Sequence, residues 1–213
     1  MGFKTDFNEA KNADRTNQSI KTSGKYIGII TRAEKLLSKK DTQGVGFSFK
    51  TDNGDTANYL DIYTMNAKGE KLPGYALVNA ILCCAKLREV TDGIIEFEKW
   101  DKDAKAMVKA KAEGYPELMG KRIGFLLQQE LSTNIETGAD SDRVNVYGVF
   151  EADTGFTASE IIDKATKPEK LEKMLTALMA RPVYDRREKP LTGNQAMPYS
   201  SSPSAFDDEE APF

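Results

Sequence analysis

Residues 58–64 read NYLDIYT, and their alternation is that of a strand with two unlike faces. Side chains point to opposite sides of a strand with period two, so Leu60 and Ile62 share one side while Tyr59 and Tyr63 share the other. The stretch "TANYLDIYTMN" around it is followed by "LPGYALVNAILCCAKLREV", where Leu77, Ile81, Cys84 and Leu87 recur at helical spacing behind Pro73. Upstream, "GVGFSFK" sets Val45, Phe47 and Phe49 on a core side, and Asn53-Gly54 is a hairpin turn signal. Before that, "GKYIGIITRAEKLL" reads as a strand with Ile27, Ile29 and Thr31 set against Tyr26, Gly28 and Arg32. Aliphatics take one face and tyrosines with arginines take the other.

Downstream, the same division returns. In "GKRIGFLLQQELS", Ile123 and Phe125 oppose Arg122; in "DRVNVYGVFEA", Val144 and Val146 oppose Arg143 and Tyr147. Between the helix and these strands, "GIIEFEKWDKDAKAMVKAKAEGYPEL" reads as two strands around "KDAK" or as a strand and a charged helix, with the hairpin favoured. Thr157 and Glu160 form a capping box that opens a helical region running to about Ala180, broken at Pro168. The expected class is mainly β (α+β): a five-stranded OB-fold barrel with a helix between strands 3 and 4, an inserted hairpin, a C-terminal helical region and a disordered acidic tail. Domain bounds follow: a flexible arm over 1–23, the barrel with its C-terminal helix over 24–181, a disordered Pro- and Ser-bearing linker over 182–206 and an acidic protein-interaction tip over 207–213.

Composition removes most other classes. The 213 residues, 39% hydrophobic and 30% charged, suffice for one core with appendages. No apolar run reaches the ~18 to 20 residues of a spanning helix, and the first residues lack a secretory pattern, so a cytoplasmic protein without membrane contact is expected. Gly2 does not make a myristoylation site, since Asp6 stands where Ser or Thr is wanted. Histidine is absent, which removes Ser-His-Asp and Cys-His activation, imidazole acid–base work and the commonest zinc ligand. No phosphate-loop or dinucleotide pattern is present. An enzyme and a cofactor are therefore not expected. Cys83 and Cys84, adjacent on the helix, read as buried thiols on its core side.

Charge is unevenly placed. From Val183 onward three basic residues face six acidic ones, which leaves residues 1–182 with 27 of each. Between residues 21 and 40, Lys21, Lys25, Arg32, Lys35, Lys39 and Lys40 oppose Glu34 alone. With the aliphatics inside a barrel, the tyrosines and cations fall outside, which is the chemistry of a stacking platform for single-stranded nucleic acid. Aromatic rings accept any base, and Lys and Arg neutralise phosphates. The expected DNA-binding set is Lys25, Tyr26, Arg32, Lys35, Lys50, Tyr59, Tyr63, Trp100, Arg122, Arg143 and Tyr147. The opposing expectation is that individual tyrosines pack under a loop or the C-terminal helix.

The chain ends "SSPSAFDDEEAPF". Asp207, Asp208, Glu209, Glu210, Ala211, Pro212 and Phe213 resemble the C-terminal tip of bacterial and bacteriophage single-stranded DNA-binding proteins: acids, an apolar residue, Pro and Phe. Ala211 stands where that family has a bulkier aliphatic, and the helical region after the fifth strand makes the chain look more like a divergent bacteriophage version. The resemblance implies a sequence-independent single-stranded DNA-binding protein of replication, recombination or repair. Its tip would dock partner enzymes in the bacterial host cytoplasm and compete with DNA when none is bound. Homo-oligomers are compatible with it.

Two other classes make distinct expectations. A metal-dependent nuclease would use Asp92, Glu96, Glu98 and Lys99 of "DGIIEFEK". An adaptor that binds a replication protein through its tail and never touches DNA would bury Tyr59 and Tyr63.

Overall fold

A computed structural model describes residues 18–101, 103–134 and 138–187. Strands β1 (Gly24–Leu37), β2 (Gln43–Thr51) and β3 (Thr56–Met65) form an antiparallel meander. The registers Ala33↔Phe47 and Phe47↔Leu60 line up three core positions across it. Helix α1 (Pro73–Cys84) starts on a proline, whose missing N–H would have been unpaired there anyway, and buries Ile81 and Cys84. Burial pushes the Cys84 thiol up to about 12, so it packs as an inert apolar group.

The ambiguous stretch is a hairpin, β4 (Gly93–Asp101) with β5 (Ala106–Gly114). It joins the body at a single pairing, Glu34↔Gly114, beside the bond from Tyr115 N to Ala33 O at 2.9 Å. A Cβ on Gly114 would fall 2.3 Å from Ala33 O, so only glycine lets the hairpin come this close. Strands β6 (Arg122–Thr133) and β7 (Asp140–Phe150) pair with each other, and β6 pairs with the first half of β1. The five main strands thus run β3-β2-β1-β6-β7.

The expected barrel does not close. Among the described residues β7 pairs only with β6, while β3 pairs with β2 and with a short N-terminal stretch through Ser19↔Thr56. Helix α1 packs on both β3 and β7, and those two strands approach each other beside it without forming a ladder. Two expected boundaries also shift. The arm is docked from Gln18, with Ile20 buried in the core and its N–H bonded to Thr56 O at 2.8 Å. The linker begins later than residue 182, because β8 (Val183–Asp185) lies parallel on β6 through Gln129↔Val183 and Leu131↔Asp185. The acidic tip and the rest of the linker lie outside the described residues, as does the arm before residue 18.

Two clusters share the sheet. Ile30, Phe47, Phe49, Ile123, Phe125 and Val146 belong to the main core, where the Phe49 and Phe125 rings meet edge-on at 5.0 Å. On the opposite side of β6 and β7, Leu126 and Phe150 pack under α3 (Lys170–Ala180) with Leu171 and Leu178. Glu160 on the short helix α2 (Ala158–Ile162) holds this region together. Its buried carboxylate accepts from Thr157 N and Oγ1 at 2.8 Å, Glu169 N at 2.7 Å and Lys170 N at 2.8 Å. Burial pushes that carboxyl up, yet these bonds outweigh it and hold it at about 2.

Burial on both faces overturns the expected register of β1. Ile27 turns outward under α3, Ile29 is exposed, and Tyr26 packs on the main core with its hydroxyl 2.9 Å from Thr22 O. An irregularity between Ile30 and Arg32 then puts both Ile30 and Ala33 inside. Among the described residues no helix is long and apolar enough to cross a membrane.

Candidate nucleic-acid interface

Among the described residues no helix packs on the outer side of β1 beyond Ile30, with β2 and β3. Register puts Glu34, Gly46 and Asp61 in one row across it and Leu36, Gly44 and Tyr63 in the next. Gly44 and Gly46 let neighbouring side chains lean across β2. A Cβ on Gly44 would stand 3.1 Å from the Tyr63 ring, and one on Gly46 would stand 3.1 Å from Asp61 Oδ1.

Tyr59 sits where the β2–β3 register shifts, between the pairs Phe47↔Leu60 and Phe49↔Ala57. Its φ is 60°, left-handed for a bulky residue, which costs about 1–2 kcal/mol. A bulge of this kind re-aims a side chain. The result is a tyrosine that is 63% exposed, with Tyr63 at 40% further along the same side. Behind the Tyr59 ring lies Arg32, its guanidinium carbon 5.2 Å from that ring's centroid and 5.7 Å from that of Phe97 on the hairpin. Such contacts are attractive through the ring quadrupole.

Arg32 itself is 8% exposed. Its Nη1 donates to Glu34 Oε2 at 3.2 Å, its Nη2 donates to Phe47 O at 3.4 Å, and Asp61 Oδ1 stands 3.8 Å away. The expected phosphate contact is therefore corrected to a buried brace, which holds Tyr59 on one side and the hairpin on the other. Burial pushes the Asp61 carboxyl up, while the Arg32 and Arg143 charges pull it back.

The other expected residues divide. Lys50 is exposed and follows Ser48 on the outward alternation of β2, so it joins Tyr59 and Tyr63. Arg143 rims the gap near Asp61 but is held by the buried Glu130 at 2.9 Å. Lys25 lies toward α3, 4.0 Å from Glu172 and 5.9 Å from the Phe150 ring, and Tyr147 packs in the cluster under that helix. Lys35 meets Asp92 at 2.5 Å. Arg122 donates to both Asp52 and Asp153 at 2.6 Å, which raises its pKa. Trp100 is exposed near the hairpin end opposite Met107, on the face of β4 that alternates with the Phe97 face. The tyrosine platform is thus narrower than the sequence set, and several expected cations are already neutralised.

Sequence reasoning missed Asp61, Phe97, Lys71 and Tyr75. The Lys71 ammonium sits 4.4 Å over the Tyr75 ring beside the Met65 end of β3, where Leu72 N bonds to Thr64 O at 2.8 Å. Lysine and tyrosine four apart at a helix start was the available signal. Of the nuclease set, Asp92 is tied to Lys35 and Glu96 pairs with Lys111 at 2.7 Å. Among the described residues no group of three or more His, Cys, Asp or Glu is placed to hold a metal ion. No protein-family model matches this chain, and no curated protein matches it significantly.

Proposed function

We propose that this chain is a non-catalytic single-stranded DNA-binding protein of OB-fold type, of bacteriophage origin, that holds bases on the uncovered face of β1–β2–β3. The strand order β3-β2-β1-β6-β7, with a helix after the third strand, supports the OB reading. The observation that carries the function is Tyr59, held in a costly backbone conformation with Arg32 braced behind its ring and its other side open. Local strain that keeps a large aromatic in solvent contributes nothing to packing and suits a ring that receives a stacked base. Lys50 and Lys71 stand toward the two ends of β3 and supply charge for the phosphates. The adaptor reading expects Tyr59 and Tyr63 buried, and both are exposed. Partner docking rests on the resemblance of residues 207–213 to the acidic tips of the family, including the competition of that tip with DNA.

Fluorescence polarisation of a labelled oligo-dT, at low and moderate salt, tests this with the full chain and with a chain ending at Phe206. Affinity that falls with salt and rises without the tip is expected. Absence of binding by both chains would leave the tip as the functional element and return the adaptor reading.

A further inference from the structure

The inserted hairpin has two unlike faces. Its register puts Glu96, Glu98 and Glu113 on one face with Lys109 and Lys111, and Phe97, Lys99 and Val108 on the other. The Phe97 face is the one turned to the open side of β1–β3, since the Phe97 ring and the Tyr59 ring both lie against Arg32. The acids of the two strands therefore lie away from the platform, save Asp101. That carboxylate is taken up in the hairpin turn, where Oδ1 accepts from Asp103 N at 2.9 Å and Ala104 N at 2.8 Å. On the far face Glu96 holds Lys111 at 2.7 Å, whereas Lys99 is exposed and enters no ion pair among the described residues. Burial also changes along the hairpin. Ile95 at its base is buried, but β4 runs four residues, about 13 Å, beyond Phe97 and is mostly exposed there. Among the described residues the only ladder pairing to the body is at the base, Glu34↔Gly114. An uncovered two-stranded ribbon is marginal by itself, so packing gives no reason for this length.

We propose, resting on the single-stranded DNA reading above, that the Phe97 face of the hairpin is a second contact surface for the DNA strand, with Lys99 on a phosphate. The strand then lies between the Tyr59 ring and the outer half of the hairpin. Charge selects this occupant: the one free charge on the Phe97 face is positive, and the three glutamates stand on the face turned away. Continuity with the platform selects it too, because Arg32 touches the rings of both walls. A wall that covers a strand already stacked on Tyr59 hinders its escape more than its arrival, so the contact acts on dissociation.

The test is stopped-flow release of labelled oligo-dT, chased with unlabelled oligo-dT, from the full chain and from a chain with residues 98–109 replaced by Asn-Gly. The replacement closes Phe97 onto its partner Ala110 as a short hairpin and keeps the Arg32 contact. The trimmed chain is expected to release DNA at least about tenfold faster, with association changed less than about threefold. In the untrimmed chain Lys99→Ala should reduce the slope of log affinity against log salt by about 0.7, while Lys111→Ala, on the far face, should leave it unchanged. Circular dichroism checks the fold of each variant, and Lys99→Ala carries the test alone if the trimmed chain does not fold. Unchanged release after trimming, a salt slope unmoved by Lys99→Ala, or a trimmed chain altered only in its oligomeric state overturns this inference and leaves the single-stranded DNA reading standing. Absence of oligo-dT binding by the full chain overturns both.

Discussion

The sheet has two outer faces, and the chain treats them oppositely. Over β6 and β7, Leu126 and Phe150 lie under α3 and are sealed by Leu171 and Leu178. Over β2 and β3, Tyr59 and Tyr63 stand open to solvent. Glycines serve both faces. A Cβ on Gly148 would meet Met174 at 2.4 Å and one on Gly124 the Phe150 ring at 2.1 Å, so those glycines admit core side chains. Gly44 and Gly46 admit Tyr63 and Asp61 instead, which face solvent. One face contributes stability through burial; the other gives up some stability, through the left-handed Tyr59, to present a surface.

The largest effect expected from this contrast is on the covered face. Phe150→Ala should lower unfolding free energy by about 3–5 kcal/mol in a denaturant titration, through lost burial and a cavity. Oligo-dT affinity of the folded fraction should stay unchanged. On the open face the pattern inverts: Tyr59→Ala should cost about 1–3 kcal/mol of DNA affinity, roughly 5- to 150-fold, while the denaturation midpoint barely moves. If Tyr59→Ala destabilises as Phe150→Ala does, the two faces are not different in kind.

Glu160 sharpens the contrast, because it ties α2 to the start of α3. Glu160→Gln should cost about 1–3 kcal/mol at neutral pH, from weakened charged hydrogen bonds, without changing DNA binding. The folded carboxyl lies at about 2, below the ordinary glutamate range of about 4.3, so its contribution is fully present above about pH 4.5. It is lost as pH falls toward about 2, and stability of the natural chain should drop through that window more steeply than that of the variant. The smallest effects concern surface charge. Lys50→Ala should reduce the slope of log affinity against log salt by about 0.7, whereas Arg122→Ala, already neutralised by Asp52 and Asp153, should leave the slope unchanged.

Most strands, the hairpin and the break at Pro168 were legible in the sequence because period-two and capping signals are local. Phe47, Phe49, Leu60 and Ile62 face the core as alternation demands. The register of the first half of β1 was not legible, since alternation assumes one buried face and Ile27 is claimed by a helix some 150 residues later. The same limit hid the fate of Tyr147 and Lys25. Arg122 and Lys35 carry the right charge, but their partners Asp153 and Asp92 approach only in the folded chain. Of the site, Tyr59 and Tyr63 were visible as outward residues. The left-handed backbone and the Arg32 brace depend on three strands meeting and leave no local pattern.

The most direct measurement of the central claim is photo-crosslinking of the full chain to an oligonucleotide carrying 5-iodouracil, with the modified residues located by mass spectrometry. Adducts concentrated on Tyr59 and Tyr63 are predicted, since an iodinated base stacked on those rings reacts with what it touches. Adducts confined to β6, β7 and α3, with none on β3, would contradict the account and place DNA on the covered face.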